Sequence, residues 1–219
     1  MLSEHGRSGV NKVAPRIAGV FVKAGITPNM ITLFGMVTTV AAALWLFGTG
    51  HLFAGAIVIA LCTLFDLLDG AVARAGGTGS PYGALVDAVS DRIADGAILG
   101  ALLWYVIHNE VDNSLAIVML LIALTFSQVV SYSKARADAG GLATPGGLME
   151  RADRLVIVLV GAGLEGLGVP GMLELGVSIV AIGSVITVVQ RVLGGRASHL
   201  KEKPQADAGR PPREKGHGH

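Results

Sequence analysis

Four carboxylates stand at helical spacing in two short, otherwise apolar stretches. Asp66-Leu67-Leu68-Asp69-Gly70-Ala71-Val72-Ala73-Arg74 holds one pair, and Gly83-Ala84-Leu85-Val86-Asp87-Ala88-Val89-Ser90-Asp91 the other. Asp66 and Asp69 are three apart and Asp87 and Asp91 four apart, so each pair shares one helix face. A carboxylate at the centre of a membrane helix costs roughly 2.5–3.5 kcal/mol, so four left unpaired would cost on the order of 10 kcal/mol. Two facing pairs make an oxygen-rich cage of the kind Mg²⁺ or Mn²⁺ prefers, and His or Cys clusters suited to zinc are absent. Two divalent ions roughly 3.5–4 Å apart can clamp a phosphoryl group and stabilise its attacking and leaving oxygens.

The remaining residues with chemistry are cations and helix ends. Lys134, Arg136, Arg151, Arg154 and Arg191 lie at the ends of apolar runs. Each alone is accounted for by snorkelling to lipid headgroups. Together, with Ser131, they suit a phosphorylated water-soluble ligand by charge and geometry. Gly70 and Gly83 permit close approach of a ligand or backbone. Asp95 continues the 87–91 stripe and is expected to pair with a cation. Gly96 and Gly100 form a small-xxx-small pattern that serves helix packing or dimerisation.

The elements that position these residues follow from composition. Of 219 residues, 52% are hydrophobic and only 15% charged, against about a quarter charged in soluble domains. The pattern predicts an all-α polytopic membrane protein with six transmembrane helices. The predicted spans are roughly 30–47, 52–74, 82–107, 114–132, 151–164 and 172–193. Thr27 and Pro28 suit the N-cap and first position of the first span, and that helix start offers free N–H groups to phosphate. Residues 10–23 carry a helical apolar stripe with Lys12, Arg16 and Lys23 off it, which predicts an interfacial amphipathic helix. The domain reading is an N-terminal segment over 1–29, a catalytic six-helix domain over 30–195 and a disordered tail over 196–219. A net charge of +1 gives no reason to propose nucleic acid as a partner. No cleavable signal peptide is expected.

Charge distribution orients the spans. The 17 Lys and Arg fall on or beside the N-terminal region, the second-to-third and fourth-to-fifth connections and the tail. The three opposite turns carry Glu110, Asp112, Glu165 and Glu174 instead. The positive-inside rule then puts both termini in the cytoplasm of a cell-membrane protein. Both Asp pairs fall in the cytoplasmic half of the membrane, with Asp66 about 20 Å from the outer start of its helix.

Asp66-x-x-Asp69-Gly70-x-x-Ala73-Arg74, eight residues, then Gly83-x-x-x-Asp87-x-x-x-Asp91 resembles the complete signature of the CDP-alcohol phosphotransferase family. That resemblance implies transfer of a substituted phosphate from a CDP-linked donor to an alcohol with release of CMP. It implies two Mg²⁺ ions (or Mn²⁺) held by Asp66, Asp69, Asp87 and Asp91, with Asp91 also the general base. Gly70, Arg74 and Ser80 would contact the donor, and Asn29-Met30-Ile31-Thr32 resembles the family's donor-binding helix start. A homodimer is implied as well. The donor is expected to be CDP-diacylglycerol, whose acyl chains can stay among the membrane lipids. Ser131 to Ala137 and Glu150 to Arg154 are similar to an actinobacterial branch of the family that makes phosphatidylinositol phosphate. Carried over, the acceptor is 1D-myo-inositol 3-phosphate, an inositol phosphate held by Ser131, Lys134, Arg154 and Arg191.

Two other readings are open at this level. Glycerol 3-phosphate as acceptor, giving a phosphatidylglycerophosphate synthase, would also need the cations. A divalent-cation transporter would use the Asp pairs alone. Arg74, the glycine-rich 76–81 loop and the basic ends favour an anionic substrate.

Overall fold

Thr27 and Pro28 start the first helix as their types predict. Thr27 has extended backbone, and its hydroxyl accepts from the Met30 N–H at 3.4 Å. The computed structural model describes residues 27–75, 80–109, 113–144 and 146–208, without the side chains of residues 28, 66–75 and 201–208. The amphipathic helix expected over 10–23 lies outside the described residues. Helix α1, Pro28–Ala42, continues into a wider π-helical turn, Ala43–Phe47. It is followed by α2 (Leu52–Ala75), α3 (Pro81–Asn109), α4 (Ser114–Ala139), α5 (Arg151–Gly166) and α6 (Met172–Ala208). All described elements are helices, and these six occupy the six predicted segments.

Three of them are long and apolar enough to cross a membrane: Asn29–Phe47, Ser114–Ala139 and Met172–Leu200. The part of α2 whose side chains are described, Leu52–Phe65, is also apolar. The largest packing surface joins α4 to α6. Helix α5 lies against α6 and α2, α1 against α2 and α3, and α3 against α4. Phe47, Leu52, Ile59, Leu102, Leu120, Leu173 and Val177 form the fully buried centre. Large apolar side chains also cover the outside, with Phe34 and Trp45 exposed at 74% and 73%, an arrangement suited to a lipid solvent. Gly96 faces the Gln128 side chain of α4, in keeping with packing, whereas nothing approaches Gly100.

One boundary is corrected. Composition predicts a disordered tail from residue 196, yet α6 runs on to Ala208. Arg196-Ala197-Ser198-His199-Leu200-Lys201-Glu202-Lys203 is rich in strong helix formers, so an established helix propagates through it.

Candidate active site

Helix α3 brings Asp87 and Asp91 to one face, one turn apart. The Asp91 carboxylate is held from two sides. One oxygen lies 3.2 Å from Arg151 Nη2, and the other accepts from Arg92 Nη2 at 3.5 Å. Asp95, one turn further, takes a two-point grip from Arg151: Nε donates at 3.2 and 3.3 Å, and Nη2 at 3.0 Å. The expected pairing of Asp95 with a cation is therefore observed. Asp66, Asp69, Gly70 and Arg74 lie on the closing turns of α2, but their side chains fall outside the described residues.

Of the residues predicted to contact the donor, Ser80 and Asn29 meet at the start of α3. Ser80 Oγ accepts from the Gly83 N–H at 3.0 Å and so caps the helix. A methyl group on Gly83 would stand 3.3 Å from both Ser80 Oγ and Asn29 Oδ1. Gly83 is thus the point where two predicted donor residues meet, and its missing side chain keeps that space open. Thr32 lines a small cavity of about 20 Å³ with Thr39, Thr63, Asp91 and Arg151. Met30 is exposed, and Ile31 is partly buried beside it on α1.

The cations meet on the other side of Asp91. A cavity of about 320 Å³ is lined by Asp91, Arg92, Ser131, Lys134, Asp138, Glu150, Arg151, Arg154 and Arg191. All four predicted acceptor residues therefore line the same cavity as Asp91. Arg154 and Arg191 are buried, at 4% and 3% exposure, so lipid snorkelling does not account for them. Arg154 donates to the Met149 carbonyl at 3.3 Å. Arg191 donates to the Val130 carbonyl and to Glu150 Oε1, the latter at 3.3 Å. Its Nε is buried and has no partner among the described residues. Arg136 is exposed and is not part of this lining.

The connection before α5 delivers these groups. Its backbone is tied to α6 by Ala143 N–H to Ser198 Oγ at 3.1 Å, Leu148 N–H to Gln190 Oε1 at 2.9 Å and Met149 N–H to Thr187 Oγ1 at 3.1 Å. The Glu150 N–H then donates to Asp153 at 2.9 Å, which starts α5. Gly147 is required here, because a methyl group would come within 2.0 Å of Thr187 Cγ2. Residue types alone did not single out Asp138, Glu150 or Arg92 as part of the lining. Their signals were adjacency: Asp138 follows Lys134 by one turn, Glu150 precedes Arg151 and Arg92 follows Asp91.

A divalent cation fits the donor chemistry of this face. Asp87 and Asp91 offer hard oxygen ligands, and neither His nor Cys lines the cavity. Among the described residues no cluster of three such ligands forms by itself. The site therefore combines carboxylates for a hard cation with a basic, recessed cavity for an anion. These are the parts of a membrane-type phosphoryl transferase.

Residues 25–190 match the family model for CDP-alcohol phosphatidyltransferase, and the chain belongs to that family of enzymes. It is 42% identical over 210 residues to the phosphatidylinositol phosphate synthase of Corynebacterium glutamicum, covering 95% of this chain and 96% of that relative. The enzyme of the same name from Mycobacteroides abscessus is 45% identical over 201 residues, covering 90% and 91%. Among solved structures, the Mycobacterium tuberculosis phosphatidylinositol phosphate synthase in complex with manganese and citrate is 45% identical, with a TM-score of 0.80 over 84% of this chain and 90% of that one. The same enzyme with CDP-DAG bound also gives a TM-score of 0.80 at 45% identity, over 85% and 95%. Family membership leaves the transporter reading without support.

Proposed function

We propose that this chain transfers the phosphatidyl group from CDP-diacylglycerol to 1D-myo-inositol 3-phosphate, giving phosphatidylinositol phosphate and CMP. The observation that carries the reading is the basic cavity that Asp91 lines together with Ser131, Lys134, Arg154 and Arg191. Relatives of this chain carry the same activity in their names, and one has been solved with CDP-DAG.

In this reading Asn29, Met30, Ile31, Thr32, Gly70, Arg74 and Ser80 bind the CDP moiety, with the acyl chains in lipid. Lys134, Arg154 and Arg191 neutralise the acceptor phosphate, and Ser131 adds a hydroxyl contact. Asp66, Asp69, Asp87 and Asp91 hold two divalent cations, Mg²⁺ or Mn²⁺. When bound, these ions neutralise charge on the diphosphate and lower the pKa of a nearby hydroxyl. Asp91 takes the proton from the acceptor hydroxyl: of Asp87 and Asp91, the two whose side chains are described, it is the one that lines the acceptor cavity. The finer architecture belongs to the same proposal. All six helices cross the cell membrane, both termini and the active site are cytoplasmic, residues 30–195 form the catalytic unit with 1–29 before it, and two chains form a homodimer.

The test is an acceptor screen. Purified protein with CDP-diacylglycerol and Mg²⁺ is offered inositol 3-phosphate, inositol or glycerol 3-phosphate, and CMP is measured. Release is expected with inositol 3-phosphate. Release only with glycerol 3-phosphate would move the assignment to a phosphatidylglycerophosphate synthase. No release with any acceptor would remove the proposed activity.

A further inference from the structure

Arg151 stands apart from the other cations of the cavity because it reaches two carboxylates, Asp91 and Asp95, at once. Its Nε–Nη2 edge, the edge that would grip a phosphate at two points, lies on Asp95 at 3.0–3.3 Å. The same Nη2 lies 3.2 Å from Asp91. The three side chains are only 11–27% exposed, so solvent screens these pairs less than it would surface ones. Asp91 and Arg151 line both the small cavity that contains Thr32 and the large cavity that contains Lys134, Arg154 and Arg191. Helices α3 and α5 are not among the helix pairs that pack closely along their length, so this arginine spans between them.

We infer that Arg151, clamped by Asp95, is a positioning residue that sets the Asp91 carboxylate at the junction of the two cavities. The inference rests on the proposed role of Asp91 as the proton acceptor. The guanidinium fork is what the geometry uses: one edge is anchored on Asp95 and one nitrogen is shared with Asp91. Lysine, a compact point charge, cannot hold two carboxylates in that register. Arg151, the nearer of the two arginines on Asp91, also helps neutralise that carboxylate before a divalent ion arrives, so it competes with the ion for it.

Three measurements on the full-length protein test this. First, R151K and D95N should each lower kcat about tenfold or more, with KM for inositol 3-phosphate and for CDP-diacylglycerol within about twofold of the parent. Second, combining R151A with D95N should cost no more than R151A alone, within about twofold, because the two act as one unit. Third, Mn²⁺ binding to the substrate-free protein, followed by EPR, should tighten about fivefold or more in R151A, since a competing cation is gone. Loss of folding cannot mimic this tightening. An R151A enzyme with normal kcat and raised acceptor KM would assign Arg151 to the phosphate and overturn the inference. So would D95N with parental kcat, or R151A with unchanged or weaker Mn²⁺ binding. Absence of CMP release from the parent protein would fail the proposed function separately, and the Mn²⁺ titration would still decide whether Arg151 acts on Asp91.

Discussion

Asp91 has an arginine on each oxygen, Arg151 at 3.2 Å and Arg92 at 3.5 Å, which answers in part how a carboxylate persists in an apolar helix. Removing its charge while keeping its shape isolates the proton-accepting role. Asp91→Asn should reduce transfer by about 10²–10⁴-fold, the usual worth of a positioned base, while CDP-diacylglycerol still binds; normal turnover in that variant would take Asp91 out of the role. Lys134 is an exposed cation on the cavity wall, so its replacement disturbs little else. Lys134→Ala should raise KM for inositol 3-phosphate about tenfold, equivalent to roughly 1.4 kcal/mol of charge-assisted contact, and leave KM for the donor near its parental value. An equal rise in both constants would argue against separate donor and acceptor regions. Gly83→Ala should act on the other substrate. Its methyl group enters the space between Asn29 and Ser80 at 3.3 Å from each, so the donor KM should rise and the acceptor KM hold.

At the scale of elements, the connection between α4 and α5 does most to assemble the cavity. It is laid on α6 by three backbone N–H donors, one each to Ser198, Gln190 and Thr187. Gly147→Ala would drive a methyl group into Thr187, which is fully buried. Such overpacking costs about 1–3 kcal/mol, so a lower thermal midpoint together with a raised acceptor KM is expected; a variant with parental values for both would mean that the connection is not held in this way. Much of the helical plan was readable in advance because its punctuation is local. Thr27-Pro28 marks a helix start by side-chain chemistry, and the Asp spacing sets a shared face within a few residues. The tertiary partners were not readable in the same way. Arg151 reads as one more cation for phosphate, yet it lies on Asp95, 56 residues away. Arg191 was placed at the phosphate by its charge, but its Val130 partner is 61 residues distant. Which carboxylate or carbonyl a guanidinium reaches depends on how α3, α4, α5 and α6 approach one another, and no local pattern encodes that.

At the scale of the whole molecule, helix length explains why the cavity is recessed. Helix α5 has 16 residues, about 24 Å at helical rise, against a hydrocarbon core of about 30 Å. Helix α4 has 26 residues, about 39 Å, and reaches beyond that core. In the proposed orientation, with both helices level at the outer face, the basic start of α5 would end below the headgroups while α4 carries Lys134 and Asp138 past it, leaving a hollow on the proposed cytoplasmic side. Soluble acceptor and lipid-borne donor can meet there. This geometry requires six crossings, and labelling of intact cells tests them. In a background with the single cysteine removed, Cys62→Ala, new cysteines replace exposed residues in three connections and, at His199, in the last part of α6. Thr49→Cys and Leu167→Cys should react with a membrane-impermeant maleimide added outside. Ala143→Cys and His199→Cys should react only after the membrane is opened. If residues 143 and 167, at opposite ends of α5, label from the same side, that helix does not cross, and the recessed cavity loses its explanation.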